Sequence, residues 1–316
     1  MRLPLFRCGR TAAALLLAAI GLATGNPKPA RIPKEVQTVL GEIAPANLRG
    51  DLSFLSSDSL KGRKTPSPEL EISAEFIASR FRAAGLEPSV NGSYFQDADL
   101  TEATADSAKK YHFTVAPGPV KGRNVIGILR GSDSELRETY VIVSAHYDHI
   151  GTLETSKGLT NQTAPVGSDN IFNGADDDGS GTVAVIALAE AFGNLRIKPR
   201  RSIVFIAFCG EELGLLGSAY YTDHPVVPLR NTIANLNLEQ VGRTDGDVPK
   251  GAVSLTGFNY TDMAALFNAV SVQAGLKITE NPVPNKYFAA SDNYNFSRYG
   301  VPANTLTSAF EFPDYH

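Results

Sequence analysis

Tyr140-Val-Ile-Val-Ser-Ala145 runs directly into His146-Tyr-Asp148-His149, an H-x-D spacing in which an imidazole can hold a metal while the carboxylate two residues on orients its ring. Alone, that pattern reads more readily as a polar strand end with a satisfied histidine. A second group, Asn173-Gly-Ala-Asp176-Asp177-Asp178-Gly-Ser-Gly181, leads into an apolar stretch that begins at Thr182. Three adjacent carboxylates repel one another unless a cation neutralises them or water screens them. A solvated acidic turn that caps the next helix explains them equally well, since Asp, Gly and Ser all suit that position. The apolar helix behind the turn keeps it close to the core and tilts the reading toward a metal.

The third group is Cys209-Gly-Glu211-Glu212-Leu-Gly-Leu-Leu-Gly217-Ser218, after the apolar run Ser202 to Phe208. Adjacent glutamates at a buried strand end are unfavourable without a partner. Two such carboxylates can divide the labour of hydrolysis, one holding a metal and the other taking a proton from water. Cys209 reads as a core thiol, because the surrounding acids would raise its pKa and leave it a poor nucleophile. A fourth run ends in Asn235-Leu-Asn237-Leu-Glu239, and Pro313-Asp-Tyr315-His316 adds an imidazole at the end of the sequence. Acid or imidazole past five such ends makes an N/O ligand set of the hardness zinc prefers, with enough donors for two ions that share a carboxylate.

Positioning these groups requires strands that end side by side. Asn124 to Leu129, Tyr140 to Ala145, Ser202 to Phe208, Asn231 to Leu238 and Val301 to Leu306 are short, β-branched and nearly continuous in apolar character, as expected of a sheet buried on both faces. Ile72 to Gly85, Thr182 to Phe192 and Thr261 to Ala274 carry helical spacing, and Gly85 and Gly275 stop the first and last. Gln96 to Lys121 has no strong period and reads as a connection with at most one edge strand, around Tyr111 to Val115. The expected fold is a three-layer α/β/α domain over about residues 35–316. In such sheets ligands gather beyond the carboxyl ends of the strands.

Composition agrees with an ordinary globular chain: 316 residues, 43% hydrophobic, 20% charged, with 29 Lys plus Arg against 33 Asp plus Glu. The lack of a basic run excludes nucleic acid as a partner. Two cysteines, Cys8 and Cys209, cannot build a disulfide framework. Residues 1–25 read as a secretory signal peptide: Arg2, Arg7 and Arg10 precede an apolar stretch from Thr11 to Leu22, and Ala23, Thr24 and Gly25 follow it. The stretch is short for a membrane span, so no membrane association is expected after its removal. That removal takes away three Arg and no acid, bringing the formal charge from −4 to −7. A Pro-rich lead-in at 26–34 would connect it to the domain. The expected location is exported, periplasmic or secreted.

The ordered set H-Y-D-H-I-G, N-G-A-D-D-D-G-S-G, G-E-E-L-G-L-L-G-S and N-L-N-L-E-Q-V-G-R resembles the co-catalytic two-zinc aminopeptidases, a group related to glutamate carboxypeptidases and glutaminyl cyclases. The resemblance runs from about Leu52 to His316. It includes Leu55-Ser-Ser-Asp-Ser-Leu-Lys-Gly-Arg-Lys64, a stretch typical of bacterial exported members. It implies a mixed, mostly parallel sheet of about eight strands and two Zn2+ per chain. His146 and Glu239 would bind the first ion, Glu212 and His316 the second, with Asp177 as the bridging carboxylate. Asp148 would orient His146, Asp176 and Asp178 would support the loop, and Glu211 would be the general base. Tyr315 matches a position that polarises the scissile carbonyl in some members.

Three departures stand against the pattern. Glu239 occupies a position where many members carry Asp; Ser291-Asp292-Asn293 replaces the usual S-D-H; and the chain stops at His316, where the family continues, implying a domain cut short at its C-terminus. If His316 does not serve, His149 is the substitute ligand. The expected activity is removal of N-terminal residues from peptides. The alternatives are a carboxypeptidase or dipeptidase of the same clan, or an inactive binding domain on this fold. A single-zinc glutaminyl cyclase is disfavoured because both His146 and Glu239 are present.

Overall fold

The computed structural model describes residues 31–160, 169–244, 248, 251–280, 287–310 and 315. The signal peptide read at 1–25, most of the lead-in, and His316 lie outside them. Among the described residues no helix is long and apolar enough to cross a membrane.

The strands are β1 (Glu87–Pro88), β2 (Phe95–Asp99), β3 (Lys121–Leu129), β4 (Tyr140–His146), β5 (Gly151–Thr152), β6 (Ile171–Phe172), β7 (Ser202–Phe208), β8 (Thr232–Leu238), β9 (Ala252–Leu255), β10 (Lys277–Glu280) and β11 (Ala303–Thr307). Nine of them form one sheet in the order β1-β3-β7-β4-β8-β11-β9-β10, with β2 also paired to β3, while β5 and β6 pair apart from it. The four central strands, β7, β4, β8 and β11, are all parallel. Antiparallel pairs join β3 to β7 and β9 to β11, so the sheet is mixed as expected.

Alternation within the central strands explains their unbroken apolar character. Val141, Val143 and Ala145 of β4 and Ile203, Phe205 and Ala207 of β7 face one core. Tyr140, Ile142, Val204, Ile206 and Phe208 face the other. The first core is covered by helices Lys34–Gly41, Pro68–Ala83, Gly181–Gly193 and Met263–Ser271, and the second by Leu216–Asp223 and Asn293–Arg298. Helix Pro68–Ala83 shows why its local sequence folds: Ser67 Oγ accepts from Leu70 N at 3.0 Å, Pro68 opens the first turn, Glu69 and Glu71 lie near its positive end, and Arg80 and Arg82 near its negative end.

One expectation fails. The segment read as a connection with an edge strand near Tyr111 to Val115 holds strand β2 and a helix, Thr101–Tyr111, and the backbone after that helix is irregular. The helix escapes an apolar periodicity count because it buries Thr104 and Ser107, not large hydrophobics.

Parallel register brings the functional ends together. His146 pairs with Phe208 across β4 and β7, Ser144 with Asn237 across β4 and β8, and Leu306 with Leu238 across β11 and β8. The residues after β4, β7 and β8 therefore emerge at one edge of the sheet.

Candidate active site

His146 closes β4 and is completely buried. Its Nε2 lies 3.1 Å from Asp177 Oδ1 and 3.8 Å from Glu211 Oε2. On the other side of the ring, Nδ1 is 3.2 Å from the Asp148 carbonyl oxygen and 3.6 Å from its Oδ1. Asp148 is held in turn by Thr65 Oγ1, which donates to Oδ2 at 2.9 Å, and by the Glu211 amide, which donates to Oδ1 at 3.2 Å. The carboxylate thus links the His146 ring to the loop that carries the paired glutamates.

Of the three aspartates, Asp177 turns toward His146 while its neighbours build the loop. Asp178 accepts from the amides of Gly181 (3.0 Å) and Gln240 (3.1 Å) through Oδ1, and from the His146 amide (3.3 Å) through Oδ2. One buried carboxylate thereby fastens the end of β4, the residue after Glu239 and the start of helix Gly181–Gly193. Close approach makes a glycine necessary here, because a Cβ on Gly181 would stand 2.4 Å from Asp178 Oδ1 and 2.4 Å from the Leu238 carbonyl. Asp176 Oδ1 accepts from Gly242 N at 2.8 Å, a further tie between the same two loops.

Two sets of ligand atoms lie mutually within 4.8 Å: His146 with Asp177 and Glu212, and His146 with Glu211 and Glu239. Four carboxylates, those of Asp177, Glu211, Glu212 and Glu239, therefore converge on one imidazole. Tyr315 and Glu239 line a neighbouring cavity of about 230 Å³, together with Thr256, Tyr287, Thr307 and Phe310.

The electrostatics of this cluster favour a bound cation. Burial, followed by Glu239 and Glu212, pushes the Glu211 carboxyl well above the usual range, against the pull of His146. Burial likewise lifts Glu239 to about 7 and Asp292 and Asp176 each to about 6. Burial favours neutral His146, but Glu211, Asp148, Asp177 and Asp178 outweigh it and raise its pKa well above the ordinary value. His146 Nε2 and Glu239 Oε2 are buried without a hydrogen-bond partner. Buried polar atoms are normally satisfied, so a pair left open among nitrogen and oxygen donors fits a metal of the zinc type.

A pH dependence follows for the metal-stripped protein. The carboxyls of Asp176, Asp292 and Glu239 are raised on folding, so each contributes stability that is complete below the unfolded value near 4 and is lost as the pH climbs through its folded value. In chelator, the thermal unfolding midpoint should fall between pH 4 and about 7, and saturating zinc should abolish the fall by favouring the ionised carboxylates. A midpoint that rises across that window in chelator would contradict the buried, cation-free picture of these carboxyls.

Two further residues are built into the site: Arg63, given no role from sequence, and His149, read there only as a substitute ligand. Arg63 is fully buried; its Nε donates to the Tyr147 carbonyl (2.7 Å), Nη1 to those of Leu55 (3.0 Å) and Asn173 (2.5 Å), and Nη2 to that of Gly174 (2.6 Å). His149 Nδ1 lies 2.6 Å from Glu212 Oε1. Arg63 had a signal in the Leu55 to Lys64 stretch, but neither charge nor spacing shows that a guanidinium will satisfy carbonyls. Asn293, the departure noted in Ser291-Asp292-Asn293, is buried at the start of helix Asn293–Arg298, donating to the Phe288 carbonyl (3.1 Å) and accepting from Thr305 Oγ1 of β11 (2.8 Å). Burial, then Asp148, drives the Cys209 thiol far up, in keeping with a core residue.

Nine strands with helices on both faces, and an imidazole among converging carboxylates beyond the parallel strand ends, define the class: an α/β protein with a candidate metal centre at the ends of its parallel strands. The chain belongs to Peptidase family M28, whose sequence pattern matches residues 124–316. It is 30% identical over 226 residues to a probable zinc metalloprotease of Pyricularia oryzae, covering 70% of this chain and 39% of that protein. It is 34% identical over 121 residues to aminopeptidase YwaD of Bacillus subtilis, covering 38% of this chain and 22% of that one. The chain spans 39% to 48% of the length of four fungal relatives named probable zinc metalloproteases. In fold it is similar to the Legionella pneumophila LapA aminopeptidase, with a TM-score of 0.63 at 18% identity, covering 94% of this chain and 68% of that structure.

Proposed function

We propose that the protein is a zinc-dependent exopeptidase that removes N-terminal residues from peptides, with two Zn2+ per chain. The carrying observation is the convergence of Asp177, Glu211, Glu212 and Glu239 on His146, with His146 Nε2 and Glu239 Oε2 buried without a hydrogen bond. Family membership and the name of the B. subtilis relative, an aminopeptidase, support the reaction type. His146, Asp177 and Glu239 would hold one ion, and Asp177, Glu212 and His316 the other. Zinc in such a centre polarises a carbonyl and lowers the pKa of water toward 7.

The chain's own residues do the rest. Asp148 fixes the His146 ring. Glu211, whose carboxyl is raised by burial, accepts a proton from the attacking water and returns it to the leaving amine. Tyr315 borders the cavity beside Glu239, where its hydroxyl donates to the scissile carbonyl. Acids beside the centre suit a free α-ammonium group. Arg63, the arginine buried against this site, is committed to backbone carbonyls instead of a substrate carboxylate.

The cavity takes the N-terminal side chain. Its Tyr287 and Phe310 rings stack with centroids 4.8 Å apart. Thr256 Oγ1 accepts from the Thr305 amide and Thr307 Oγ1 donates to the Ala309 carbonyl, so both hydroxyl oxygens are engaged within the wall and the stacked rings give the cavity its apolar character. A leucyl chromogenic amide, its N-acetylated form and an N-blocked peptide with a free C-terminus test the assignment. The free-amine amide should be cleaved, the acetylated one spared, and chelator should abolish the activity. Cleavage of the blocked peptide from its C-terminus, with the amide intact, would make the protein a carboxypeptidase.

A further inference from the structure

We infer that His149 is a positioning residue for the metal centre: its Nδ1–H holds one oxygen of Glu212 and so aims the other oxygen at the ion. The inference rests on the reading of Glu212 as a ligand. His149 Nδ1 and Glu212 Oε1 are 2.6 Å apart, and both residues are almost wholly buried. A ligating carboxylate accepts hydrogen bonds and donates none, so the shared hydrogen belongs to Nδ1. The same nitrogen is 4.0 Å from Asp177 Oδ2, so the ring faces the glutamate more closely than the shared aspartate.

The ring is held on two sides. The His149 amide donates to the Arg63 carbonyl at 3.4 Å, and Lys64 and His149 form a parallel bridge between their chain segments. Gly174 lies against the ring, with φ at +57°, and a Cβ there would come within 2.5 Å of His149 Cγ. The glycine thus admits the imidazole, and the loop that bears Asp177 walls it in. Glu212 has three side-chain torsions to order when it binds an ion. A fixed donor on one oxygen orders them beforehand, which is how partners of ligating carboxylates raise affinity.

Zinc binding to the full chain, measured by competition with a chromophoric chelator, tests this with the variants His149→Leu, His149→Asn and Glu212→Gln. His149→Leu should weaken, by about 10–100-fold, the same binding step that Glu212→Gln impairs, and leave the other step unchanged. Asn, whose Nδ2 reaches the place of Nδ1, should restore most of that loss. Unfolding in chelator, followed by circular dichroism, should show both His149 variants folded, so that the Leu–Asn difference reads the donor and not the packing. Zinc affinity in His149→Leu equal to the unmutated chain, beside an impaired Glu212→Gln, overturns the inference alone. Asn binding as weakly as Leu overturns it too, because the imidazole itself is then a ligand. A Glu212→Gln chain that binds zinc like the unmutated one removes Glu212 from the ligand set, and this inference with it.

Discussion

Glu211→Gln should retain its zinc and lose turnover by roughly 10²-fold or more, the range expected when a general base is removed. The substitution keeps the shape of the side chain and removes its ability to take a proton. The Glu211 amide, which holds Asp148 Oδ1 at 3.2 Å, is untouched, so the support of His146 persists. Loss should fall on kcat, with KM nearly constant, because the proton moves in the transition state and not in the bound ground state. The structure also raises a competing possibility that the same experiment decides. Glu211 Oε2 is 3.8 Å from His146 Nε2, and Glu211 shares a set of possible ligand atoms with His146 and Glu239. If Glu211 were a ligand, the variant would lose zinc in proportion to activity. Metal content and turnover must therefore be measured on the same sample, and only a metal-replete, slow variant supports the base.

The division between what the sequence disclosed and what it concealed follows the physics of each signal. Strands β4 and β7 were legible because both faces of the sheet are buried, which writes an apolar residue at nearly every position. Their ends were legible because His146, Glu211 and Glu239 are types that a buried strand end rejects without a partner. Helix Thr101–Tyr111 was not, since its buried face is made of Thr104 and Ser107 and resembles a polar connection. Asp178 was recognisable as a member of an acidic run, yet its task of joining three segments through backbone amides depends on folded distances. The same holds for His149: its partner Glu212 is remote in sequence, and no spacing rule links a strand-end histidine to a glutamate beyond another strand.

Arg63→Met should destabilise the metal-stripped protein by about 3–5 kcal/mol, the loss expected when several buried carbonyls lose their donor and cannot reach water. The guanidinium is wholly buried, and among the described residues no carboxylate lies within ion-pair distance of it. Burial lowers its pKa, while Asp148, Asp177, Asp178 and Glu212 together oppose that shift, so it offsets the negative cluster from a short remove. Its direct partners are carbonyls. The Gly174 carbonyl also accepts from the Gly179 amide, but Met leaves those of Tyr147, Leu55 and Asn173 without their guanidinium donor. Each buried acceptor left open costs about 1–3 kcal/mol, so the three together account for the whole of the expected loss. Because Arg63 ties the His146 loop to the Asn173–Gly174 turn, the damage should extend to the spacing of His146 and Asp177, and zinc affinity should fall with stability. Arg63→Lys keeps the charge but not the fork, and should recover less than half of the loss. Urea unfolding in chelator, beside zinc titration of the folded variants, measures both effects. A change below about 1 kcal/mol in Arg63→Met would mean that water enters and satisfies the carbonyls, and that the arginine is dispensable to this end of the sheet.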